Sequence, residues 1–283
     1  MTGVLDNSTM TKRAEYTSSI GKTELTWYGQ SAFKIRTPSG KILLIDPWIS
    51  NPLNKNATSD LAALFQVDLL LISHGHSDHI GNGVAIAQKT GARLVANYDL
   101  GRALTQYGGF QEELAQRSHM AFPGGELNLL DGEVRILLTP AVHSSIVEVA
   151  ADKPLAGKIV YAGPPTGFVI DIKGGPTIYH TGDTDVFSDM ALIGSLDNID
   201  IMLACIGGHF TMGPKRAALA ARLVNPGLLI PMHFGANPLL NGTPEQLERE
   251  LAALPADRPR PPMKRLAIGE TFIWMAKPPS EEQ

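Results

Sequence analysis

With a single cysteine in 283 residues, no intrachain disulfide can hold this protein together, because Cys205 has no partner in the chain. That suits a reducing, cytoplasmic setting. So does residues 1–20, a polar stretch carrying Asp6, Lys12, Arg13 and Glu15 but no apolar segment of a secretory leader. Nowhere does an apolar run approach the roughly 20 residues of a membrane-spanning helix, so no membrane partner is expected. Basic charge is not in excess: 24 Lys and Arg stand against 28 Asp and Glu, a net charge of −4 spread along the chain, which gives no electrostatic basis for binding nucleic acid. The hydrophobic fraction of 43% is ordinary for a globular protein and ample for a large core. No G-x-S-x-G nucleophile turn, internal repeat or low-complexity linker interrupts the chain.

What is present begins with short strands. Leu25–Tyr28, Ala32–Arg36 and Lys41–Asp46 read as an antiparallel start, separated by Gly29 and by Pro38-Ser39-Gly40. A short helix at Leu61–Phe65 leads into an apolar strand, Val67–Ile72. Beyond residue 79 the periodicity alternates. Helices are expected at Gly83–Lys89, Leu100–Gln106, Phe187–Ser195, Lys215–Leu223 and Pro244–Ala253. Strands are expected at Ala92–Ala96, Leu127–Leu130, Val134–Leu138, Gly167–Ile172, Thr177–His180, Ile199–Ala204, Leu228–Met232 and Thr271–Trp274. A strand-rich opening followed by β-α alternation predicts an α/β fold of two sheets with helices on the outer faces. Residues 1–21 read as a polar arm, mobile or ordered against a neighbouring subunit of a homo-oligomer, and 22–283 as one domain.

The chemistry concentrates directly after Val67–Ile72, in Ser73-His74-Gly75-His76-Ser77-Asp78-His79. Residues i and i+2 of an extended chain project to one side, so His74 and His76 can grip one metal ion. Asp78 and His79 fall where the chain turns and can swing toward a second. Imidazole and carboxylate suit zinc, manganese or iron. Further residues of ligand type sit at strand exits: His143 after Val134–Leu138, Asp183 after Thr177–His180, and His233 after Leu228–Met232. Each alone is unremarkable; together with the cluster they point to a two-metal centre.

At these residues the chain resembles the metallo-β-lactamase superfamily, whose H-x-H-x-D-H motif is met by His74, His76, Asp78 and His79, with the later ligands at His143, Asp183 and His233. Within it the chain is most similar to the UlaG-like, UPF0173-type metal-dependent hydrolases. That likeness rests on Trp27–Phe33, Ala141–Ser145, Tyr179–Thr184 and Ile206–Pro214. The resemblance implies an αββα sandwich. It also implies two divalent transition metal ions, zinc foremost with manganese or iron as alternatives. His74, His76 and His143 would hold the first, Asp78, His79 and His233 the second, and Asp183 would bridge them. Asp46 resembles the family's aspartate that accepts a ligand imidazole's other N–H, with a plain turn residue as the alternative. The chain departs from the family at Gln30, where histidine is common, so no substrate contact is carried over to that position.

The chemistry expected of such a pair is hydrolysis of a small-molecule ester, lactone or phosphoester, a bound water losing its proton near neutral pH. Asp78 would also handle protons. His209 is a catalytic candidate, for stabilising an oxyanion or protonating a leaving group, because Gly207 and Gly208 allow close backbone approach; a surface histidine is the alternative. His180 would support Asp183 from behind, and His119 is read as structural. Arg258, Arg260, Lys264 and Arg265 could meet a phosphate, though a solvated loop is the favoured reading. Cys205 reads as a small buried apolar group, with a place lining the site as the alternative. The competing functions are a phosphodiesterase, an iron-dependent oxygen-using redox enzyme on the same fold, and a catalytically silent metal-binding protein. Sugar lactone phosphate hydrolysis is an option that only the resemblance suggests.

Overall fold

The computed structural model describes residues 21–256 and 259–276; the expected arm, Gly21 apart, lies outside them. Six strands open the chain, β1 (Lys22–Trp27), β2 (Phe33–Arg36), β3 (Ile42–Ile45), β4 (Leu69–Ile72), β5 (Arg93–Asn97) and β6 (Met120–Ala121). Next come β7 (Glu126–Leu129), β8 (Val134–Pro140), a small hairpin of β9 (Ile146–Glu148) and β10 (Ile159–Tyr161), then β11 (Thr166–Ile172), β12 (Thr177–His180), β13 (Ile201–Cys205) and β14 (Leu228–Met232). The final strand, β15 (Thr271–Met275), returns to the first sheet, whose order is β15-β1-β2-β3-β4-β5-β6. The second sheet runs β14-β13-β12-β11-β8-β7. In each, antiparallel pairing gives way to parallel: β3, β4, β5 and β6 are parallel in one, β12, β13 and β14 in the other.

The β4 sequence Leu69-Leu70-Leu71-Ile72 explains the layering. With side chains alternating across the strand, Leu69 and Leu71 join the core between the sheets, while Leu70 and Ile72 join a second core under the outer helices. A strand apolar on both faces is what a covered parallel sheet requires. Each such fully buried side chain contributes about 1.5–3 kcal/mol.

Helices α1 (Ala57–Ala62) and α2 (Ser77–Ile80) are short, and α3 (Gly83–Thr90) and α4 (Tyr98–Gln106) bring Ile86, Ala87, Leu100 and Leu104 onto the outer face of the first sheet. The second sheet is covered by α5 (Met190–Asp197), α6 (Pro214–Val224) and α7 (Pro244–Ala253). Pro214 starts α6 where no N–H is needed, and its buried Ala217, Ala218, Ala220 and Ala221 let it lie close to its neighbours. In α7, Thr243 and Gln246 form a reciprocal capping box. The architecture is therefore the expected αββα sandwich. Among the described residues no helix is long and apolar enough to cross a membrane.

Two local expectations need correction. The helix read at Leu61–Phe65 lies at Ala57–Ala62, and Phe65, which marked its apolar end, is 83% exposed. The β9–β10 hairpin was not anticipated, because three-residue strands with exposed Ile159 and Tyr161 carry no period to read.

Candidate metal centre

The strands β3, β4, β8, β12 and β14 all end at the same edge of the sandwich, and each carries a polar side chain just past its last residue. The β3 exit supplies Asp46. The β4 exit supplies His74 and His76 from an extended loop, followed by Asp78 and His79 on α2, with His76 as the residue before the helix. The turns after β8, β12 and β14 supply His143, Asp183 and His233. Gly75 lets this loop lie against β9, since a Cβ there would collide with the Ile146 carbonyl.

Three groups of potential ligand atoms result, each with its atoms within 4.8 Å of one another: His74, His76 and His143; His74, His79 and Asp183; and Asp78, His79 and His233. Asp183 stands in the middle. Its Oδ2 lies 3.0 Å from His233 Nε2, 3.3 Å from His79 Nε2 and 3.7 Å from His143 Nε2. On one side His74 Nε2 and His76 Nδ1 approach to 2.9 Å. On the other, Asp78 Oδ2 lies 3.4 Å from His233 Nε2 and 3.7 Å from His79 Nε2.

The imidazoles are aimed from behind. Asp46, fully buried, accepts the His79 Nδ1–H at 2.8 Å, which turns Nε2 toward Asp183. The same carboxylate accepts from the Ser73 backbone N–H at 2.8 Å and from the Ser73 hydroxyl at 2.7 Å. With its one proton spent on Asp46, Ser73 Oγ accepts the His74 Nδ1–H at 3.0 Å, leaving His74 Nε2 for the centre. His180 supports the site through the backbone: its Nε2–H donates to the Ser31 carbonyl at 3.1 Å and its Nδ1 accepts the Gly182 N–H at 3.2 Å. No hydrogen bond among the described residues joins it to the Asp183 carboxylate itself.

Charge is tightly coupled here. Burial opposes a charged His233, yet Asp183 and Asp78 outweigh it and raise its pKa to about 9. Burial likewise opposes a charged His79, which Asp183, Asp46 and Asp78 hold well above the usual imidazole range. Asp183 and Asp78 are lowered despite burial, Asp183 chiefly by His233 and His79, Asp78 chiefly by His79 and then His233. His74 goes the other way: burial, reinforced by the His79 charge, pushes it well below its usual value.

Several buried atoms of this cluster are left without a hydrogen-bond partner: His79 Nε2, both ring nitrogens of His233, and Asp183 Oδ1. Unpaired polar atoms in a dry interior are costly, and a cation is the partner that imidazole nitrogens and carboxylate oxygens can share. The residues therefore fit a metal ion. Replacing Asp46 by Ala should weaken metal affinity by about 10–100-fold, read by competition with a chelating dye, because His79 loses the acceptor that sets its tautomer.

Strain marks the same region. Gln30 (φ 49°), Asp46 (φ 43°), His209 (φ 54°) and His233 (φ 56°) are non-glycine residues in the left-handed region, and all belong to loops around the centre. His209 is exposed, with its ring edge-on to Phe210 at 4.4 Å, and belongs to none of the three ligand groups. Its loop is nonetheless braced against the site. The Met212 N–H donates to the Thr184 carbonyl at 2.9 Å, and a Cβ on Gly207 would strike the His233 carbonyl.

The remaining expectations concern residues outside the three candidate ligand groups. His119 ends a single 3₁₀ turn, Arg117–His119, and is buried, its pKa lowered by burial and by Arg93. Cys205 is buried, and burial pushes its thiol up to about 12. Of the basic run, Arg265 pairs with Glu245 and with Glu248, and Lys264 with Glu270, as a solvated loop would have it; Arg258 lies outside the described residues. Ser73 was legible as a hydroxyl directly preceding His74 but went unassigned, whereas Gln30 stood out only as a departure from the family and nothing local marks its contact with Asp78.

The Beta-lactamase superfamily domain matches residues 41–234, from the start of β3 to just past His233. The chain belongs to this superfamily and, with the UPF0173 group inside it, to the metal-dependent hydrolases. It is 53% identical over 254 residues to a UPF0173 metal-dependent hydrolase of Thermodesulfovibrio yellowstonii, across 90% of this chain and 93% of that one. A UPF0173 relative from Anaeromyxobacter sp. is 45% identical over 257 residues, 90% of each chain. Among solved structures, the metallo hydrolase Igni18 of the archaeon Ignicoccus hospitalis is 34% identical with a TM-score of 0.75, covering 89% of this chain and 98% of its own.

Proposed function

We propose that this hydrolase acts on small neutral esters or lactones and uses two transition-metal ions, zinc foremost. His74, His76 and His143 would hold one ion, Asp78, His79 and His233 the other, with Asp183 between them. When bound, such ions supply Lewis acidity and acidify water, which is the chemistry hydrolysis near neutral pH needs. The chain's own residues then do three things. Asp46 and Ser73 keep His79 and His74 in the tautomers that face inward. Asp78 is the carboxylate within reach of solvent, its side chain 30% exposed against 3% for Asp183, and would take up and pass on a proton. His209, exposed on the braced loop, would be the imidazole that protonates a leaving oxygen.

The observation that carries the substrate class is a cleft of about 400 Å³ beside His76 and Asp78. Ile80, Ile146, Val147 and Ile159 line it, and its one charged group besides Asp78 is Glu148. This volume suits a small molecule. An anionic phosphoester would meet Glu148 there and no Lys or Arg, which favours a neutral acyl substrate. Initial rates on matched panels of neutral esters, lactones, thioesters and phosphodiesters, with Zn²⁺ and Mn²⁺ compared, test this. Neutral esters or lactones should lead. A phosphodiester preference, or oxygen consumption by a one-iron protein, defeats the proposal.

A further inference from the structure

Gln30 touches two members of the Asp78, His79 and His233 group at once. Its carbonyl accepts the His233 backbone N–H at 3.1 Å and the Trp27 Nε1–H at 2.9 Å. Its side-chain Nε2 donates to Asp78 Oδ2 at 3.3 Å, the same oxygen that faces His233 and His79. Turning the carboxamide over would set its oxygen against the Asp78 carboxylate, two acceptors face to face, so the nitrogen belongs on that side. The other end of the amide, Oε1, is buried without a hydrogen-bond partner, and the residue is 1% exposed. A plain core position would be better filled by an apolar side chain of equal volume, since a half-satisfied buried amide destabilises a fold. The strained φ of 49° adds to that cost. Both costs are borne next to one cluster of candidate ligands.

We propose that Gln30 is a positioning residue for one of the two metal ions: its backbone seats His233 while its carboxamide clamps Asp78 Oδ2, so that both present their donor atoms to the ion they share with His79. This rests on the reading that Asp78, His79 and His233 hold an ion. Exchanging the side chain leaves the carbonyl and its two hydrogen bonds in place, which separates positioning from folding.

The test is a Zn²⁺ titration against a competing chelator for the wild type, Gln30→Met, Gln30→His and Asp78→Ala. The Co²⁺ absorption spectrum and the melting temperature of each metal-free protein are read alongside. Gln30→Met, matched in volume but with no donor, should weaken one of the two ions by on the order of 10–100-fold and alter its Co²⁺ bands, with the metal-free melting temperature held. Gln30→His, which restores an N–H, should recover most of that affinity. Asp78→Ala should lose the same ion. Should Gln30→Met not fold, Gln30→Glu, which keeps the shape and sets an acceptor against Asp78, takes its place with the same expected loss. If Asp78→Ala releases an ion while the Gln30 variants bind both as tightly as the wild type, the positioning role is wrong and the two-ion reading stands. If Asp78→Ala also binds both unchanged, that reading fails and the inference with it. Equal weakening of both ions together with a lower metal-free melting temperature would make Gln30 merely structural.

Discussion

Asp183→Ala should reduce turnover of the best ester or lactone by at least about 10³-fold, beyond the 10²–10³ that removal of a single preorganised electrostatic group costs elsewhere. The reason is its place. One oxygen of this carboxylate lies within 3.7 Å of His79, His143 and His233, so it sits near donors from both sides of the centre. Two cations held side by side repel each other, and an anion between them offsets that repulsion. Without it, metal content should fall as well as activity, and elemental analysis of the purified variant should find fewer ions per chain than in the wild type. Asp183→Asn is the companion variant. It keeps the volume in a site that is 3% exposed and removes only the charge, so a well-folded but inactive Asp183→Asn protein ties the loss to electrostatics. Full activity in either variant would take Asp183 out of the centre.

Metal removal should be the other large effect. Dialysis against a chelator should abolish activity, and returning Zn²⁺ or Mn²⁺ should restore it. It should also lower the melting temperature, because the ions bind the folded chain and not the unfolded one. Free metal about 1,000-fold above its dissociation constant contributes about 4 kcal/mol to stability. For a chain of this size that corresponds to a shift of about 7 °C. The metal-free protein should remain folded, since its two cores extend through both sheets well beyond the centre and the carboxylates of Asp46, Asp78 and Asp183 lie close enough to His79 and His233 to offset their charge. A chelated protein that keeps both its activity and its melting temperature would show that metal has no part in either.

Much of this was legible without coordinates because the signals are local. The donors His74, His76, Asp78 and His79 lie within six positions, and the exits of β8, β12 and β14 follow apolar runs whose length and composition mark strands. The layered fold was legible for the same reason, in runs such as Leu69–Ile72. Other features had no local trace. Gln30 looked like a departure from a motif and a lost contact, yet it is buried against Asp78, 48 positions along the chain. His180 stands three positions before Asp183 and works through the Gly182 N–H. The β9–β10 hairpin, which brings Ile146, Val147, Glu148 and Ile159 to the cleft, lay in what read as loop.

By itself the sequence determined the candidate donor set, the order of the elements and the lack of any intrachain disulfide, because residue type, short spacing and apolar periodicity are properties of neighbouring positions. Only the tertiary structure decided which atom faces which. It gave Asp46 to His79 and, through Ser73, to His74; it set Asp183 between imidazoles from β14, β8 and the β4 loop; it put Gln30 behind Asp78 and lined the cleft with isoleucines and one glutamate. These are relations across sheet pairings, between residues dozens to hundreds of positions apart, and they come into being only when the strand ends are brought to a common edge.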